Sequence, residues 1–137
     1  MIEAKRETIM HAFAKREGAA LTKKGKASYS NSDESDRAIC TISKRYQTGA
    51  PYWYGYHPRW DEFLSKGKKS FLILGCTDRD TAYAIPHERI SPVLKHLHKS
   101  AKRHWHIALE ENESGKIELA IPKTSSRIGL SEFELAI

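Results

Sequence analysis

The apolar positions of this chain fall into short runs, and their period changes from one run to the next. Over residues 2–17, Ile2, Ile9, Met10 and Phe13 recur near one face at helical spacing, with Gly18 as a terminator. Residues 19–36 are polar, carrying Lys23-Lys24-Gly25-Lys26 and then a Ser/Asp/Glu-rich stretch, and read as a weak strand and turn or as a linker. Residues 1–36 are therefore expected to form a looser helical arm. Residues 37–46 alternate as a strand, Gln47 to Pro51 is turn chemistry, and 52–56 make a second strand, so 37–56 is predicted as a hairpin. Pro58 opens a short helix with Trp60, Phe63 and Leu64, ended by Gly67. Residues 70–76 and 82–85 form a second hairpin across Thr77-Asp78-Arg79-Asp80.

Ser91-Pro92 is a helix start, and a helix to about Arg103 is predicted to bury Val93, Leu94, Leu97 and Ala101. Residues 104–109 and 116–121 form a third hairpin. Trp105, Ile107 and Leu109 share its buried face with Ile117, Leu119 and Ile121. Residues 128–137 add a last edge strand. The order is helix, hairpin, short helix, hairpin, helix, hairpin. It predicts a single compact α+β domain over 1–137, with a mainly antiparallel sheet and two to three helices.

Composition narrows the class. Hydrophobic content of 39% supports one modest core. No apolar run approaches the roughly 18–20 residues of a membrane span. The N-terminus has no apolar secretory region, and Cys40 and Cys76 sit in apolar runs as buried thiols. A cytoplasmic protein with no membrane partner is expected. The net charge of +6 is segregated. Residues 1–69 carry 14 Lys/Arg against 8 Asp/Glu, whereas 70–137 carry 9 of each. Within the neutral half, 89–106 hold five Lys/Arg, four His and no acid. A segregated basic surface is the footprint of a polyanion partner.

Six of the thirteen Phe, Trp and Tyr residues fall between Tyr46 and Trp60, interleaved with Lys44, Arg45, His57 and Arg59. Aromatic faces stack on bases and cations pair with phosphates. The expected nucleic-acid contacts are Lys44, Arg45, Tyr46, Tyr52, Tyr54, Tyr56, His57 and Arg59, joined by Lys95, Lys99, Lys102 and Arg103 on the 92–103 helix. Alternation puts Tyr52, Tyr54 and Tyr56 on one strand face and Trp53 and His57 on the other. Trp53, Trp60 and Phe63 are expected in the core and the tyrosines at its rim. Asp78 and Asp80 are assigned to a turn.

On the 37–46 strand, Ala38, Cys40, Ile42, Lys44 and Tyr46 share a face, so Lys44 is predicted to point inward. A helix, a strand pair, an acidic turn and an inward lysine resemble the core of PD-(D/E)xK restriction-endonuclease-like domains. The resemblance covers residues 1–56. It implies a divalent metal, Mg²⁺ or Mn²⁺, held by carboxylates, with Asp36 as one of them and Lys44 assisting hydrolysis. Ile42 stands where that family has a Glu, which implies a binding derivative rather than an active nuclease. His104-Trp105-His106 is similar to the His-hydrophobic-His signature of rolling-circle and relaxase nucleases, in which two histidines hold a metal and a tyrosine attacks DNA. No tyrosine follows His106, but Tyr46, Tyr52, Tyr54 and Tyr56 precede it, and His96 or His98 would be a third ligand.

The expectation is a nucleic-acid-binding module, for DNA rather than RNA, in a restriction, phage-defence or mobile-element system. It would accompany a larger catalytic protein and use no cofactor of its own. The alternatives are a metal-dependent nuclease using Lys44, Asp36, His104 and His106, or a protein–protein adaptor with the aromatic run as its contact surface.

Overall fold

A computed structural model describes residues 2–124 and 126–137. Helix α1 (Ile2–Glu17) buries Ile9, Met10 and Phe13 and stops at Gly18, whose φ of +65° suits a residue without a Cβ. The chain then builds strands β1 (Thr22–Lys23), β2 (Ser28–Ser30) and β3 (Asp36–Ser43), then β4 (Tyr52–Tyr56), helix α2 (Pro58–Ser65), β5 (Lys69–Cys76) and β6 (Thr81–Pro86). A one-turn helix α3 (His87–Ile90) runs into a 3₁₀ turn at Ser91–His96. Strands β7 (Trp105–Glu111), β8 (Ile117–Ile121), β9 (Ser126–Gly129) and β10 (Glu134–Ala136) complete the chain.

The α+β expectation holds, in two sheets rather than one. The first has the order β1-β2-β3-β5-β6-β10, antiparallel except for β3 and β5, which run parallel from Asp36↔Lys69 to Ser43↔Cys76. Such a pair needs a crossover, and α2 supplies it. The second sheet, β4-β7-β8-β9, is wholly antiparallel. Helix α1 covers one face of the first sheet, over Ala38, Cys40, Ile73, Ala82 and Ala84. These small residues let the helix lie close: a Cβ on Gly75 would stand 2.6 Å from Ile9 Cδ1. The second sheet covers the other face, joining Ile39, Leu72, Leu74, Tyr83 and Ile85 to its own Ile107, Leu109, Leu119 and Ile121.

Four sequence expectations are corrected. The 37–56 segment is not a hairpin: β3 pairs with β5 along its length and with β2 over Arg37–Ile39, and β4 crosses to pair with β7 in the second sheet. The loop between them is clamped by the Tyr46 amide donating to the Pro51 carbonyl (2.8 Å) and the Trp53 amide donating to Ser43 Oγ (3.0 Å). Residues 2–36 are not a loose arm, since Ile9 is fully buried and β1 and β2 belong to the first sheet. The 92–103 helix does not form. After the 3₁₀ turn the chain extends so that Leu97 is buried and Lys99 bridges Trp105, and strand pairing outweighs helix propensity. The tail makes two strands, each the edge of a different sheet. The 70–85 and 104–121 hairpins, the Pro58 helix and the two buried free thiols stand as predicted.

Candidate nucleic-acid interface

Strand β4 organises the site. Its alternation is as the sequence implies, but the buried face is the reverse of the expected one. Tyr52 and Tyr56 are fully buried and Tyr54 is 2% exposed, while Trp53 is 42% exposed. Each tyrosine hydroxyl has a partner inside. Tyr52 donates to Asp78 Oδ1 (2.6 Å), Tyr54 to the Gly75 carbonyl (2.9 Å) and Tyr56 to Asp61 Oδ1 (3.0 Å). Satisfied hydroxyls make tyrosine an acceptable core residue. Burial, then Cys76, push the Tyr54 phenol well above its ordinary pKa. None of the three offers a free face to a base.

At the start of β4, Arg45 is committed to an internal clamp. Its guanidinium donates to Asp78 Oδ2 (2.6 Å), Glu111 Oε1 (3.1 Å) and the Tyr52 hydroxyl (2.9 Å). Asp78 is thus an anchor as well as a turn residue. Burial pushes its carboxyl up, but the Tyr52 and Arg45 hydrogen bonds outweigh that and hold it below its ordinary pKa. Lys44 does not point inward. It follows the end of β3, is exposed, and lies with Nζ 5.1 Å from the ring centre of Tyr46, itself 40% exposed.

The two nuclease constellations are not assembled. Asp36 and Lys44 stand at opposite ends of the β3 segment, about 26 Å apart at strand rise. Asp36 is occupied with Asn31, accepting at Oδ2 from Nδ2 (3.4 Å) and donating its amide to Oδ1 (3.0 Å). His104, just before β7, and His106 on it share the outer side of the second sheet, but each meets its own ring, His57 just past β4 or Trp53 within it. His104 lies against His57 (centroids 3.7 Å apart) and His106 against Trp53 (5.1 Å, edge-on). Among the described residues no group of three or more His, Cys, Asp or Glu is placed to hold a metal ion.

At the other end of β4, His57 and Arg59 open onto a cleft of about 560 Å³ between β2–β3 and the start of α2. Its floor is Ala27, Ile39 and Thr41, and its walls are Arg6, Lys26, His57, Arg59, Trp60 and Phe63, with no carboxylate among the lining residues. Helix α2 is held in place by Arg37, which donates to the Phe63 carbonyl (3.1 Å) and stacks on its ring (4.8 Å), and by Ser70 Oγ donating to the Leu64 carbonyl (2.6 Å). Arg6 reaches the cleft from α1. It is 6% exposed, donates Nε–H to the Cys40 carbonyl (3.0 Å) and pairs with Glu3, a carboxylate shared with Lys23. His57 stacks near Trp60 (4.2 Å), and burial, then His104 and Arg59, hold its imidazole below the ordinary pKa.

The structure therefore splits the expected contact set. Lys44, Arg45 and Tyr46 lie at one end of β4, with His57 and Arg59 at the other. Lys95, Lys99, Lys102 and Arg103 are all exposed beyond α2. Sequence reasoning missed Arg6, Lys26, Trp60 and Phe63 as cleft residues. The Lys23-Lys24-Gly25-Lys26 cluster was a legible signal, read as a weak strand and turn or as a linker, and it lies on β1 and the turn into β2. No family model, curated protein or solved structure matches the chain.

Proposed function

We propose that this chain is a nucleic-acid-binding module, with DNA as its first expected ligand. The phosphates would enter the cleft of Arg6, Lys26 and Arg59, and bases would lie against Trp60 and Phe63. The observation that carries this reading is the lining itself: Lys26 and Arg59, which form no ion pair with a described residue, an imidazole and two aromatic rings around about 560 Å³, with Arg6, paired to Glu3, as a third cation and no carboxylate in the lining. A volume of that order takes a nucleotide-sized group. Cation and ring together are the two contacts a nucleic-acid strand offers. The chain's +6 charge adds long-range attraction.

Binding rather than cleavage is proposed because Asp36 and Lys44 are a strand's length apart and His104 and His106 face separate rings. A restriction, phage-defence or mobile-element setting, with catalysis on a larger partner, would suit such a module.

The test is a binding titration against salt. Lys26→Ala with Arg59→Ala should weaken binding to every sequence. It should also flatten the plot of log K against log salt by about 1.4–1.8, two phosphate contacts' worth. Unchanged affinity and slope would remove the cleft from the interface.

A further inference from the structure

We propose that a second depression, beyond α2, is another phosphate-and-base subsite, and that the ligand is a single strand long enough to reach both. This rests on the cleft reading above and specifies its substrate class. The depression measures about 490 Å³ and is bounded by Lys95, Lys99 and Lys123 with Trp105 as its aromatic wall. None of the three lysines forms an ion pair with a described residue. Lys99 Nζ instead rests 4.6 Å from the centre of the Trp105 ring, a position a phosphate can draw it from while a base takes its place. The lining carboxylate, Asp61, is already engaged, accepting from the Tyr56 hydroxyl (3.0 Å) and meeting His87 Nε2 (2.7 Å).

The two depressions back onto one aromatic cluster, in which Tyr56 is fully buried and only Trp60 and Trp105 line the hollows. Trp60 lines the cleft, Tyr56 lies 6.4 Å from Trp60 and 5.8 Å from Trp105, and Trp105 lines the depression. Beside them the His57–His104 pair bridges β4 to the residue preceding Trp105. Arg59 and Trp60 line one hollow and Asp61 the other, so the first turn of α2 stands between them. In a duplex the base faces are covered by their neighbours and cannot lie against Trp60 and Trp105. An unpaired strand is flexible, and it offers bases to the rings and phosphates to the ammonium groups together.

The test uses the full chain and labelled oligothymidylates of about 4 and about 12 nucleotides, a short and a long length within the range of a one-domain site, with a duplex of the longer length, read by anisotropy. Circular dichroism and thermal melting check that each variant folds. Lys95, Lys99 and Lys123 changed together to Ala should weaken the longer strand at least tenfold and flatten its salt slope by about 2. The shorter strand, which fills the cleft alone, should bind as before. Lys26→Ala with Arg59→Ala should weaken both. If the triple variant leaves the longer strand's affinity and slope unchanged while the cleft variant loses binding, the second subsite is overturned and the cleft stands. Equal affinity for the duplex overturns the single-strand assignment. If the wild-type chain binds none of the three, or the cleft variant binds normally, the cleft reading falls and takes this inference with it.

Discussion

The reversal of faces on β4 makes a sharp prediction about two adjacent aromatics. Tyr54 is 2% exposed, packed in the main core, with its hydroxyl on the Gly75 carbonyl and 3.6 Å from Cys76 Sγ. Tyr54→Ala removes a whole buried ring, and large aromatic-to-Ala changes in cores cost about 3–5 kcal/mol. Against a total stability of about 5–15 kcal/mol for a domain, that is a third or more of the reserve in most cases. Tyr54→Phe keeps the ring and deletes one buried hydrogen bond, leaving the Gly75 carbonyl short of a partner. About 1–3 kcal/mol is expected. Trp53 is 42% exposed and meets His106 edge-on. Trp53→Ala loses about 0.5–1.5 kcal/mol for the aromatic pair together with the burial of roughly half a ring, and should cost less than Tyr54→Ala, which empties a fully buried site. Urea unfolding followed by circular dichroism gives all three values on one scale. A larger loss from Tyr54→Ala than from either Tyr54→Phe or Trp53→Ala follows from the structure. A Trp53→Ala loss equal to that of Tyr54→Ala would mean that the second sheet presents its other face to the core.

Three further outcomes follow from local geometry. The His57 imidazole is held below its ordinary pKa, so the folded state binds fewer protons than the unfolded one near and below pH 6.5. Its contribution to stability is present above that value and lost as pH falls through the folded pKa. A phosphate in the cleft favours the charged ring, so affinity should rise over the same fall, and His57→Gln should reduce that rise in an anisotropy titration from pH 8 to 5.5; an identical pH profile would place His57 outside the interface. Asp78 is depressed, so its contribution is present above the unfolded value near 3.9 and lost as pH falls through the folded one. Asp78→Asn should therefore lower the melting temperature at pH 7 and narrow the difference from wild type at pH 3, and a difference constant with pH would remove the carboxylate's role. Gly75→Ala puts a Cβ 2.6 Å from Ile9 Cδ1 and 3.3 Å from Ile42 Cγ1, so overpacking of about 1–3 kcal/mol is expected, which Ile9→Val should partly relieve in a double-mutant cycle.

Local pattern was a good guide to elements closed by neighbouring residues. The β5–β6 and β7–β8 hairpins, the Pro58 helix and the end of α1 at Gly18 each depend on turn or capping chemistry within a few residues. Long-range choices were not legible. Alternation in 52–56 defines two faces, but which one is inside depends on partners at Ile107 and Leu109, fifty residues away. The 92–103 segment has helical spacing, but there the competitor is nearby: the chain folds back within eight residues, Lys99 bridging Trp105 and the His98 carbonyl accepting the His106 amide. The inward lysine failed for a simpler reason: β3 ends at Ser43, so the alternation that placed Lys44 no longer applied.

The location of the candidate site follows from the point where the chain changes sheets. Had β3 and β4 remained a hairpin, the aromatic run and its cations would have lain on one continuous surface. Because β4 crosses to the second sheet and α2 carries the chain back to a strand parallel with β3, the layers diverge beside β2 and β3. The gap they leave is the cleft. That crossing sorts the cations by availability. Arg45, at the crossing itself, is consumed in holding the two sheets together through Asp78, Glu111 and Tyr52. Lys26 and Arg59, on the walls that diverge, form no ion pair with a described residue. A basic residue next to an aromatic in sequence is therefore weak ground for a phosphate contact until its carboxylate partners are known. In this chain the strongest candidates are those that the topology leaves unpaired beside a ring.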